Sequence, residues 1–431
     1  MLYENNWESL NKRPVPEWFA DAKFGIFIHW GLYSVPAYVR KGHYSEWYMY
    51  NVKESKDFDD LREFHNKNYG EKFQYEDFVG GFKAELFDAE RWADLFQRSG
   101  AKYINITSKH HDGYCLFKSS FAWNWNSVDT GPHRDILQEL SDALKKTDVK
   151  FGVYHSIYEW YNPLYLKNPE EYAVKHLIPM MKEMIEKYQP WTLFTDGEWD
   201  HPAEVWHSTD FLTWLYNESS VKDFIVPNDR WGKGTRGKLG GNYTTEYGFL
   251  YDANSSIDDV ELDRPFEECR GIGASFGFNR NEDLEDYLSA KELINMLCDL
   301  VSKGGNFLLN IGPAADGTIP VIMQERLLQI GAWLDVNGDG IYGTRVYTKE
   351  KSDGYYYTKK DNKIFGMISR FPVGEIVFDK IPYDKDLKVS LLGSDAELEL
   401  CENNGFCSVK VPALNPDKIK AHVVYVFKFE K

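Results

Sequence analysis

The chain has 431 residues, of which 16% are aromatic, and a formal net charge of −17. That length holds a large domain plus a smaller one. The acidic balance speaks against nucleic acid or an anionic membrane as partner and suits a protein handling neutral ligands. Five cysteines, Cys115, Cys269, Cys298, Cys401 and Cys407, form no CxxC pair, so neither a disulfide framework nor a zinc knuckle is expected. Residues 1–13 show no basic-then-apolar leader pattern, and no apolar run approaches membrane-spanning length. The expectation is a cytoplasmic protein, or a secreted one whose leader has been removed.

Helix and strand signals alternate from the first third onward. Asp88 caps a helix in which Trp92, Leu95 and Phe96 share a face and Gly100 is the stop, and 103–107 reads as the strand that follows. Asp135 opens a second helix (Leu137, Leu140 and Leu144 on one side), with a strand over 151–156. A longer helix over 169–188 leads into the apolar run Trp191-Thr192-Leu193-Phe194-Thr195-Asp196. Ser289-Ala290-Lys291-Glu292 is a capping box, its helix runs to Gly304-Gly305, and 306–312 is a further strand. Repeated αβ units predict a parallel sheet with helices outside it.

Polar groups cluster where these strands end: His29, Lys109-His110-His111-Asp112, Tyr154-His155, Asp196, and Asn228-Asp229-Arg230. No GxGxxG turn marks an open dinucleotide-binding sheet, and many polar strand ends are what the single mouth of a (β/α)8 barrel needs. Residues 232–286 are poorly helical, which predicts a distorted barrel. After Tyr342 the pattern changes to short strands between Asp, Asn, Gly and Pro turns. The expected organisation is a (β/α)8 TIM-like barrel over 1–345 followed by a β-sandwich over 346–431.

Asp196 ends a buried strand among Trp191, Phe194 and Trp199, which is how a glycosidase sets a carboxylate beside aromatic surfaces that pack on a sugar. It reads as a nucleophile, with a helix cap or structural ion pair as the plain alternative and Glu198 as the neighbouring rival. A second carboxylate is required, and spacing alone leaves Glu46, Glu246, Glu267 and Glu268 open. His110 and His111, as adjacent strand residues, would face opposite ways. With no HExxH present, hydrogen bonding to hydroxyls is favoured over a metal, and one of the two could be structural. Gly273-Ala274-Ser275-Phe276-Gly277 matches the GxSxG nucleophile elbow, but charged flanks and His422 as the only later histidine argue against a serine esterase.

Several segments resemble the retaining α-L-fucosidases of glycoside hydrolase family 29. They are Trp18-Phe19 through Lys23-Phe24-Gly25-Ile26-Phe27-Ile28-His29-Trp30-Gly31, Glu46-Trp47-Tyr48, Lys109-His110-His111-Asp112-Gly113, Phe151-Gly152-Val153-Tyr154, Asn228-Asp229-Arg230-Trp231-Gly232, Ser275-Phe276-Gly277-Phe278-Asn279 and Gly304-Gly305-Asn306-Phe307-Leu308-Leu309-Asn310-Ile311-Gly312-Pro313. The resemblance implies a distorted barrel with a C-terminal β-sandwich, no metal or cofactor, and release of terminal α-L-fucose from fucosylated oligosaccharides or glycoconjugates with retained configuration. It implies Asp196 as nucleophile, and His29, Glu46, Trp47, His110, His111, Tyr154 and Arg230 around the fucose hydroxyls. Phe276 would face the sugar's methyl group.

For the acid/base, Thr245-Glu246-Tyr247 resembles the family's loop acid best and is preferred. Phe266-Glu267 resembles a second motif proposed for that role. Phe194-Thr195 stands before the nucleophile where some relatives carry Trp. The resemblance leaves the linkage preference open and is compatible with a homo-oligomer. A fucose-binding protein on an inactive scaffold and a glycosidase for a related L-sugar are the rival readings.

Overall fold

The computed structural model describes residues 2–246, 264–350 and 352–431, with the side chains of Thr245 and Glu246 outside the described set. Eight parallel strands form one curled sheet: β1 (Phe24–Ile28), β2 (Tyr103–Lys109), β3 (Val153–Ser156), β4 (Thr192–Asp196), β5 (Val226–Pro227), β6 (Tyr243–Glu246), β7 (Phe266–Gly271) and β8 (Asn306–Ile311). Their spatial order is β5-β4-β3-β2-β1-β8-β7-β6. The two ends of this series meet through a parallel bridge between Asn228 and Asn242, where Asn242 N–H donates to the Pro227 carbonyl at 3.0 Å. The ring is therefore a barrel closed by its weakest pair, and the distortion falls on the stretch expected to be irregular.

The first helices follow their local signals. Asp88 accepts from the amides of Glu90 and Arg91 at the start of Ala89–Arg98, Asp135 from that of Gln138, and Ser289 and Glu292 form the reciprocal capping box of Ala290–Ser302. The expected single helix over 169–188 is instead broken. Pro169–Tyr172 passes through one π-turn, Ala173–Leu177, in which the Ile178 amide reaches back to the Ala173 carbonyl, before Ile178–Tyr188 resumes. Pro179 is the physical reason: it has no N–H for the carbonyl four residues back, and its ring crowds that carbonyl.

Inside the barrel, Phe27, Tyr103, Tyr154, Phe194, Val226, Cys269 and Leu308 pack together, closed below by Phe19 and Ala22. This apolar plug makes the barrel a filled core whose upper end carries the polar side chains. Trp191, expected to flank the site, lies at the other end of its strand. It packs at a tilt on Phe224, 4.4 Å between centroids, under Lys150 Nζ at 3.8 Å.

Beyond the helix Val321–Asn337, two antiparallel sheets of five and three strands face each other. Phe378 of the smaller sheet packs on Phe427 and Phe429 of the larger at 5.2 and 5.0 Å, giving the sandwich its own core.

Candidate active site

Asp196 is the last residue of β4, the C-terminal position of a barrel strand. Its Oδ1 accepts from Arg230 Nη1 at 2.6 Å and lies 3.6 Å from Arg236 Nη2. Oδ2 accepts from the Tyr154 hydroxyl at 3.0 Å and lies 3.6 Å from His111 Nε2. Burial opposes ionisation here, but Arg230, and with it Arg236, outweigh it and hold the carboxyl below its usual range. Arg230 is itself buried, with its guanidinium 4.7 Å from the Phe194 ring centroid and Nε donating to Thr244 Oγ1 at 3.0 Å. Phe194 thus packs under the arginine that holds the carboxylate.

The chain turns sharply after Asp196 because Gly197 takes φ +88°, a left-handed conformation that glycine adopts freely. A Cβ there would also sit 2.4 Å from Tyr158 Cβ. The turn brings Glu198 and Trp199 back toward the mouth.

The two histidines differ from the alternating picture. Strand β2 ends at Lys109, so His110 and His111 lie in the following turn, and their rings come within 4.1 Å of each other instead of facing opposite ways. Both are buried and both belong to the mouth. Burial pushes His111 down to about 4 and His110 well below its ordinary value, so both are neutral at physiological pH. Ser156 Oγ commits its proton to the Tyr158 carbonyl at 2.6 Å and therefore accepts from His111 Nδ1–H, also at 2.6 Å. The bare Nε2 of His111 then faces Asp196. His110 lies over Tyr154, centroids 5.7 Å apart, and its Nδ1 is buried without a hydrogen bond. His29, just past β1, is oriented by Asn310 Oδ1 at 2.7 Å from its Nδ1.

Glu46 and Phe276 come from distant segments and meet through one loop. Glu46 Oε2 accepts from the Gly277 amide at 2.8 Å, while Glu282 Oε1 accepts from the amides of Ala274 and Ser275 at 2.9 Å each. The loop carrying Phe276 is therefore held by two carboxylates. Phe276 packs on His29 at 5.0 Å and Phe27 at 6.3 Å. The partners of the Ser275 hydroxyl are Ser45 and Glu46, with no imidazole among them, so the elbow-like motif is a structural turn. Trp47 completes an aromatic rim with Trp160 at 4.9 Å, His111 at 5.4 Å and Trp199 at 5.9 Å.

The candidate second carboxylates separate by position. Glu246 closes β6 as a strand residue and not on a loop as the resemblance implies, because the β-branched Thr244-Thr245 extends the pairing with β7. Its side chain lies outside the described residues. Glu267 lies near the N-terminal end of β7, where it accepts from the buried Tyr103 hydroxyl. Glu268, the next residue along β7, is buried too. Glu198 is buried and bound to Arg236.

Tyr158, Trp160 and Arg236 were not read from sequence as site residues. The signal available was the aromatic cluster Tyr158-Glu159-Trp160-Tyr161 directly after a strand end. Among the described residues, no group of three or more His, Cys, Asp or Glu side chains is arranged to hold a metal ion.

Fold and site together define a β/α-barrel enzyme with a charged carboxylate at the base of an aromatic cup, the arrangement glycoside chemistry uses. Residues 1–339 match the family described as Alpha-L-fucosidase. The chain is 43% identical over 408 residues to the plasma alpha-L-fucosidase of Rattus norvegicus, covering 91% of this chain and 86% of the relative. It is 38% identical over 439 residues to the tissue alpha-L-fucosidase of Homo sapiens, covering 99% and 91%. The crystal structure of the Thermotoga maritima alpha-fucosidase in complex with a mechanism-based inhibitor superposes with a TM-score of 0.84 at 36% identity, over 100% of both chains. The chain belongs to the α-L-fucosidase family.

Proposed function

We propose that this protein is an exo-acting α-L-fucosidase that releases terminal α-L-fucose from fucosylated glycans by double displacement. The observation that carries the reading is Asp196, held ionised by Arg230 at the mouth of a barrel that belongs to this family. Asp196 attacks the anomeric carbon and forms a fucosyl ester, while Glu246 gives its proton to the departing oxygen. Water then cleaves the ester, with the same Glu taking the proton.

The remaining polar groups bind hydroxyls. The bare Nε2 of His111 accepts a sugar O–H at the mouth beside Asp196. His110 offers a buried Nδ1 that has no protein partner. His29, Glu46, Trp47, Tyr154 and Arg230 complete the pocket, and Phe276 takes the methyl group.

The test is hydrolysis of 4-nitrophenyl α-L-fucopyranoside by the wild type and by Asp196→Gly, with and without azide. The expected result is wild-type turnover, collapse in the variant and rescue by azide as β-fucosyl azide. Turnover that survives the substitution would move the nucleophile elsewhere, and no wild-type turnover would favour a fucose-binding protein.

A further inference from the structure

Glu198 is a second carboxylate beside Asp196, 3% exposed, on the far side of the Gly197 turn. One guanidinium serves both acids: Arg236 Nε donates to Glu198 Oε1 at 2.5 Å, and Arg236 Nη2 lies 3.6 Å from Asp196 Oδ1. The backbone on either side of Arg236 is anchored to one residue. Thr235 Oγ1 donates to the Asp229 carbonyl at 2.7 Å, and the Gly237 amide to Asp229 Oδ2 at 2.7 Å. The other oxygen of Glu198, Oε2, is buried and makes no hydrogen bond. An acid placed to exchange protons with a leaving group needs an oxygen open to that group. Glu198 has its bound oxygen on Arg236 and its free one enclosed.

We propose that Glu198 is a positioning residue that holds Arg236 against Asp196, so that the nucleophile is served by a second cation besides Arg230. The inference rests on Asp196 being the nucleophile. In the first step a bond forms between an Asp196 carboxylate oxygen and the anomeric carbon, the glycosidic bond breaks, and the departing oxygen takes the general acid's proton. Asp196 thereby becomes a neutral ester. Arg236, whose side chain is 32% exposed, would then face an uncharged group, and Glu198 remains its partner. When water attacks the anomeric carbon and the ester bond breaks, the electron pair returns to Asp196 beside both arginines.

Among the described residues, the charged and titratable groups facing Asp196 are Arg230, Arg236, His111 and Tyr154, with Glu198 beyond Arg236. The test is a double-substitution cycle read from the acidic limb of the kcat/KM pH profile on 4-nitrophenyl α-L-fucopyranoside. Arg236→Met leaves two buried carboxylates adjacent and short of one cation, so the limb should move up by about 1 pH unit, with a fall in kcat. Arg236→Lys keeps the charge but not the fork that spans both acids, so its limb should move less than that of Arg236→Met, which separates charge from misfolding. Adding Glu198→Gln to Arg236→Met should return the limb toward wild type, because the uncompensated charge is gone.

Additive losses across the cycle would overturn the proposal. So would formation of α-fucosyl azide by Glu198→Ala, the signature of a missing acid/base. Failure of the nucleophile reading shows separately, as absence of β-fucosyl azide from Asp196→Gly.

Discussion

His111 Nε2 points at Asp196 Oδ2 from 3.6 Å while Nδ1 of the same ring is held by Ser156 Oγ at 2.6 Å. Because the Ser156 proton goes to the Tyr158 carbonyl, the serine selects one tautomer of a neutral imidazole. A hydroxyl of the substrate can donate to that nitrogen. Ser156→Ala frees the ring to place a proton on Nε2 and bond Asp196 directly, which competes with substrate. The expected outcome is a roughly 10-fold lower kcat/KM, carried mainly by KM. An unchanged KM in steady-state assays would show that the tautomer does not matter.

Phe276 packs on His29 at 5.0 Å, and in the proposed function it takes the sugar's methyl group. Phe276→Ala should lower kcat/KM for 4-nitrophenyl α-L-fucopyranoside by roughly 10- to 100-fold. The loss should be smaller for the α-L-galactoside, which carries a hydroxymethyl group there. Equal losses on the two substrates would detach Phe276 from methyl recognition.

Burial pushes Glu267 from 4.5 up to about 7, against the opposing Tyr103 hydrogen bond and the Arg230 charge. The folded chain thus keeps this proton after the unfolded chain has released it. The resulting stabilisation is fully present below pH 4.5 and is lost as pH rises through about 7. Glu267→Gln mimics the protonated form at every pH. It should match wild type at pH near 4.5 and exceed it by on the order of 2 kcal/mol above pH 8 in denaturant melts. Turnover should persist in this variant, and its loss would return Glu267 to the contest for the acid/base.

Lys109 and Glu159 form a fully buried pair at 2.8 Å, joined by the Tyr172 hydroxyl, behind the turns that carry His111 and Trp160. Lys109→Met strands the Glu159 charge and should cost about 3–5 kcal/mol by thermal or urea unfolding. Adding Glu159→Gln should recover most of it. A double variant no more stable than Lys109→Met would mean that packing, and not charge, dominates there.

Much of the fold was legible because its signals are local. Asp88, Asp135 and Ser289 cap the helices that their neighbours announce. The apolar run into Asp196 is a strand that ends on its acid. The π-turn before Pro179 is not legible in the sequence, because a helical period alone does not register a missing donor inside it. The facing of the histidine pair is likewise not a local signal, since it depends on where β2 stops, at Lys109, a boundary set by pairing and not by residue type.

The sequence by itself determined the alternation of strands and helices, the carboxylate at the end of β4 and the polar strand ends, because caps and hydrophobic periodicity act over a few residues. Only the tertiary structure decided what meets at the mouth. Glu46 holds the loop of Phe276 across 231 positions of chain, Ser156 sets His111 from 45 away, and Arg236 reaches Asp196 and Glu198 from beyond β5. These contacts arise from closing eight strands into one ring, and no local pattern carries a partner fixed by that closure.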